Sequence, residues 1–95
     1  MTAHEILIAA KALIPDEEHW WRGDENPRGE ACYCPLTAIA AATGKGNFEE
    51  YRSAAEAFLK GTRVDCWISL WNGQTDRTLA DVHVAFDRAI EATAQ

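Results

Sequence analysis

The chain has 95 residues, 47% of them hydrophobic and 25% charged, with nine basic and fifteen acidic side chains and a net charge of −6. That length holds a single domain, residues 1–95, and excludes a two-domain nucleotide-binding architecture, a (β/α)8 barrel or a propeller. The acidic balance argues against direct contact with nucleic acid, which demands lysine and arginine at the phosphates, and favours a protein partner with a basic surface.

The first predicted element is a helix opened by Thr2, with Glu5 three residues on as the reciprocal half of a capping box. Ile6, Leu7, Ala10, Leu13 and Ile14 form its apolar stripe, and Pro15 stops it. Residues 15–33 then read as a long ordered loop in the N-terminal part of the chain, longer than most connections in a compact domain. Its acids, Asp16, Glu17, Glu18, Asp24 and Glu25, carry much of the negative excess. Its adjacent tryptophans, Trp20 and Trp21, argue for partial docking.

A second helix opens at Pro35, a residue suited to a first turn, and runs through an alanine-rich segment to Gly44. It is apolar nearly all round, which predicts a central position. A third follows Asn47, with Phe48, Tyr51, Ala55, Phe58 and Leu59 at steps of three and four, and Gly61 in place to close it. Residues 63–71 alternate as a strand would, yet Thr62 with Asp65 resembles a helix start and Trp67 and Trp71 are four apart. A lone strand would have no ladder partner, so helix is the reading taken. The last helix opens at Thr78 with Asp81 and shows Leu79, Val82, His83, Phe86, Ile90 and Thr93 on one stripe. The predicted fold is therefore all-α, a small domain of four to five helices around the 35–43 helix.

Three cysteines and a start without a basic leader fit a cytoplasmic protein with reduced thiols. The longest apolar run, Ile6 to Ala10, is far short of the roughly 20 residues that span a bilayer. Cys32, Cys34 and Cys66 lack the Cys-x-x-Cys spacing of zinc sites, although His19 or His83 could complete a set of four; they read as small buried hydrophobes, and neither a metal nor a cofactor is implied. Cys34 precedes Pro35 and so sits at a helix N-terminus, where a thiol is acidified. With His83 as base and Asp87 four residues on, it makes a Cys/His/Asp set in composition. Arg77, beside the start of the last helix, is expected to meet a carboxylate of the 16–25 loop or a ligand. No phosphate-binding glycine loop, His-Glu-x-x-His or Gly-x-Ser-x-Gly is present.

Three stretches together resemble a family of small bacterial and phage proteins of unknown function. They are His19-Trp20-Trp21-Arg22-Gly23; Cys34-Pro35-Leu36-Thr37-Ala38-Ile39 with Ala42-Thr43-Gly44; and Trp71-Asn72 followed by Arg77-Thr78 and Val82…Asp87-Arg88-Ala89-Ile90. The family pattern has glycine where Thr37 stands and aspartate where Gly73 stands. The resemblance implies a small, mostly helical domain, supplies no activity, and directs attention to Trp21, Cys34, Trp71, Asn72, Arg77 and Asp87.

Two functional expectations follow. The first is a non-catalytic interaction module, phage or mobile-element encoded, which inhibits a host nucleic-acid-handling or defence complex. Its contact residues would be Glu17, Glu18, Trp20, Trp21, Asp24 and Glu25, an acidic aromatic surface. The second is a small-ligand or thiol enzyme domain with a pocket among Trp21, Cys34, Trp71, Asn72, Arg77, His83 and Asp87. A homo-oligomer completed across a two-fold interface is a third arrangement.

Overall fold

A computed structural model describes residues 2–21, 32–44, 46–64, 68–74 and 76–94. Thr2 opens α1 (Ala3–Ala12) with a full capping box. Its hydroxyl accepts from the Glu5 N–H at 3.2 Å, and the Glu5 carboxylate accepts from the Thr2 N–H at 2.8 Å. Ile6, Leu7 and Ala10 are fully buried, and so is Ile14 just past the helix. The chain then turns through a single 3₁₀ turn, Glu17–His19, capped by Asp16. Trp20 forms a parallel bridge with Tyr33: the Tyr33 N–H donates to the His19 carbonyl at 2.7 Å, and the Trp21 N–H to the Tyr33 carbonyl at 2.9 Å. The expected long N-terminal loop is thus not what the structure supports. The N-terminus is helical from Ala3 to Ala12, as its cap implies, and of the 15–33 stretch the described residues form a 3₁₀ turn at Glu17–His19 and the Trp20–Tyr33 bridge; residues 22–31 lie outside the described residues.

α2 (Pro35–Thr43) starts from Cys34, whose sulfur accepts from the Thr37 N–H at 3.5 Å while the Thr37 hydroxyl accepts from the Cys34 N–H at 3.0 Å. It buries Pro35, Ala38, Ile39 and Thr43, but Thr37, Ala40 and Ala41 face solvent. The helix expected at the centre is therefore one-sided. Alanine is the strongest helix former as well as a small apolar residue, so an alanine run specifies helix without specifying burial. The central position belongs to α1, which packs against α2 and, further along the chain, against α3 (Phe48–Thr62) and α5 (Leu79–Thr93).

Gly44 and Gly46, both at positive φ, make the turn into α3. Asn47 does not cap α3 with its side chain; its Nδ2 donates back to the Thr43 carbonyl at 3.2 Å and closes α2. Gly61 is not a terminator. It lies inside α3, where an added Cβ would stand 2.5 Å from the Ala85 carbonyl oxygen, so glycine here permits α3 and α5 to approach backbone to backbone. Arg63, at φ 61°, takes the left-handed closing position instead. Thr62 likewise belongs to α3, its hydroxyl donating to the Leu59 carbonyl at 2.6 Å. The next helix, α4 (Ile68–Asn72), begins later than a cap at Thr62 would place it, and residues 65–67 lie outside the described residues. Thr78 and Asp81 form a complete capping box on α5, which buries Val82, Ala85, Phe86 and Ala89.

The core gathers around Phe58. Its ring meets Phe86 at 4.6 Å and Trp71 at 5.6 Å, both edge-on, the arrangement aromatic quadrupoles prefer. Among the described residues the regular elements are helical. None is long and apolar enough to cross a membrane.

Candidate functional site

The short α4 ends in Asn72, which is completely buried. A buried amide must find partners, and this one finds two on the same distant segment. The Trp20 indole N–H donates to Asn72 Oδ1 at 2.7 Å, and Asn72 Nδ2 donates to the Trp21 carbonyl at 2.8 Å. Asn72 thereby pins the 3₁₀ turn and the Trp20–Tyr33 bridge to the core.

Arg77 completes the cluster. Its guanidinium lies 4.1 Å from the centre of the Trp71 ring, and its Nε donates to the Trp71 carbonyl at 3.0 Å. A further N–H donates to Gln74 Oε1, and Asp81 sits 3.6 Å away. Among the described residues the carboxylate it meets, Asp81, is on its own neighbouring helix, and Asp24 and Glu25 of the 16–25 loop lie outside them. The side chain is only 16% exposed, so it clamps α4 to the start of α5.

The other candidates make contacts of other kinds. Trp20 is 6% exposed and is a core residue, contrary to its expected place on a contact surface. Successive residues of an extended segment point opposite ways, so of the adjacent pair Trp20 turns inward and Trp21 remains half-buried. The Trp21 indole nitrogen is buried without a hydrogen-bond partner among the described residues. Cys32 and Cys34 are both buried, Cys34 held in the α2 cap.

His83 and Asp87 share α5 but have separate partners. His83 Nε2 donates to the Ile14 carbonyl at 2.6 Å, closing the end of α1, and Asp87 pairs with Lys11 at 2.6 Å. Among the described residues no group of three or more potential ligands could hold a metal ion.

Glu17 and Glu18 are exposed on the 3₁₀ turn and make no ion pair among the described residues. Asp16 is different. It accepts from both the backbone N–H (3.2 Å) and Nδ1 (2.6 Å) of His19, and the His19 side-chain hydrogen bond holds its carboxyl below the usual range. Asp24 and Glu25 lie outside the described residues.

Two features escaped the sequence reading. Phe48, assigned to a buried stripe, is 66% exposed at the rim of an open groove of about 360 Å³ that Tyr51, Ala40 and Thr43 help to line. Burial, and secondarily the neighbouring Cys34, push the Tyr51 phenol up. Lys60, Arg63 and Arg88 converge on another groove. The step of three between Lys60 and Arg63 is visible in sequence, but the arrival of Arg88 depends on the helix crossing at Gly61.

These features define a small all-α domain in which a buried asparagine of α4 bonds to the Trp20–Trp21 segment. The chain belongs to the Family of unknown function (DUF6197), which matches residues 1–92. No curated protein and no solved structure matches it.

Proposed function

We propose that this chain is a non-catalytic interaction module that docks on a basic protein surface through its acidic turn. The observation that carries this reading is the state of Glu17 and Glu18: exposed, free of ion pairs among the described residues, and mounted on a turn with both ends fixed. Asp16 caps one end, and Trp20, buried and bonded to Asn72, holds the other. Charges held this way require little ordering on binding, and a net charge of −6 adds long-range attraction to a basic partner. Asp24, Glu25 and the half-buried Trp21 are candidates to extend the same surface.

A compact acidic surface offers what a nucleic-acid-handling protein recognises in phosphate, namely regularly placed negative charge. A phage or mobile-element protein that occupies such a surface in a host defence complex is the setting this reading favours.

The test is capture of partners from the native host by the intact chain, at low and at high salt, beside a Glu17→Lys/Glu18→Lys variant. A complex held at low salt, released at high salt and weakened roughly tenfold or more by the reversal is expected, with the thermal melt unchanged. A complex indifferent to both salt and the reversal overturns the reading.

A further inference from the structure

The cations of the described residues divide into two groups. Lys11, Arg52 and Arg77 each meet a carboxylate, at Asp87, Glu56 and Asp81 respectively. Lys60, Arg63 and Arg88 meet none, and all three line one groove of about 340 Å³ between α3 and α5. Ala57, Gly61, Ala92 and Thr93 form the rest of its wall, and among the described residues no acidic side chain lines it. In a chain of net charge −6 this is a local reversal of sign.

The usual explanation for cations here is the end of α3, whose last carbonyls carry negative partial charge. That end contributes about half an elementary charge. Three cations exceed it severalfold, and like charges gathered in one groove repel. An anion in the groove removes that repulsion.

The groove is also built. The Gly61 backbone packs directly on Ala85, which fixes the crossing of the two helices, and Arg88 donates to the Gly61 carbonyl at 3.2 Å. One guanidinium N–H is used there, and a guanidinium carries five. Arg88 is therefore oriented, with donors remaining, while Lys60 and Arg63 reach in from the exposed side. Oriented guanidinium and ammonium groups recognise a dianionic phosphate head, and the two alanines accept an apolar body.

We propose that the α3–α5 groove binds a small organic phosphate monoester, its phosphate between Lys60, Arg63 and Arg88 and its apolar part against Ala57 and Ala92. The test is a titration of the intact ¹⁵N-labelled chain with phenyl phosphate, with phenol and with sodium chloride at matched ionic strength as comparisons. Saturable amide shifts with one shared midpoint at Lys60, Gly61, Arg63, Arg88 and Thr93 are expected with phenyl phosphate and with neither comparison. The variant Lys60→Gln/Arg63→Gln changes two exposed side chains, so its melt should match the parent, while its midpoint rises about tenfold or more. Shifts that never saturate, that phenol or salt reproduces, or that keep their midpoint in the double variant overturn the proposal.

Discussion

Asn72 is the residue on which most depends. Its amide oxygen and nitrogen serve two different tryptophans, and neither atom reaches water. Asn72→Ala removes a partner from the buried Trp20 indole and from the Trp21 carbonyl together, and each buried polar group stripped of its partner costs about 1–3 kcal/mol. A loss of about 2–4 kcal/mol is expected in urea denaturation at neutral pH, with the change in tryptophan emission coinciding with the loss of helix. A cost below about 0.5 kcal/mol would show that the joint is not what holds the turn. The pairing was not readable in advance. The sequence shows two adjacent tryptophans and an asparagine fifty residues away, and only the fold decides which indole turns inward. Trp71 and Arg77 were legible as neighbours, being six apart, but the guanidinium over the ring was not.

Within single elements, local signals are legible in the sequence and tertiary ones are not. Thr2 with Glu5 and Thr78 with Asp81 both form the capping boxes their spacing implies, because every participating atom lies within one turn. Asn47, Gly61 and Thr62 carry the same kinds of signal and do other work, each decided by a neighbouring helix or turn.

The caps predict an acid response. Hydrogen bonds from the Thr2 and Thr78 backbones hold the Glu5 and Asp81 carboxyls below their ordinary values, and the His19 side chain does so for Asp16. A carboxylate with a lowered folded value stabilises the fold above its unfolded value, about pH 4, and that contribution disappears as pH falls through the lower folded value. The urea midpoint should therefore fall below about pH 4, and Glu5→Gln/Asp81→Asn should flatten that fall.

Gly61 gives a sharper test, because two effects oppose. Alanine in a helix interior is favoured over glycine by about 1 kcal/mol. Its Cβ would meet the Ala85 carbonyl at 2.5 Å, and overpacking against a backbone costs typically about 1–3 kcal/mol. Gly61→Ala should lower stability on denaturation; a gain would mean that the two helices part without cost.

For the whole molecule, charge is distributed in two regions that a composition count merges. The acidic turn and the cation-lined groove lie on different elements, so reversal at Glu17 and Glu18 leaves Lys60, Arg63 and Arg88 unchanged. The net charge pointed towards a basic partner, but it averaged away the three cations. Residues 57–63 at the end of α3 and 88–93 of α5 form a site only once the chain has folded. The all-α class was legible because helix starts and apolar stripes are written locally. The centre of the packing was not, since an alanine run marks a helix that can sit anywhere.

Two histidines fasten α1 lengthwise along α5: His4 Nδ1 donates to the Ile90 carbonyl at 2.9 Å, and His83 reaches Ile14 near the other end. The opening and closing helices are thus neighbours, and in space the chain is a ring broken at one place. The order in which its helices are threaded is then separable from how they pack. Splicing residue 94 to residue 2 through a short bridge and cutting between Gly44 and Gly46, at a solvent-facing bend, would renumber every element and leave the Phe58 cluster as it stands.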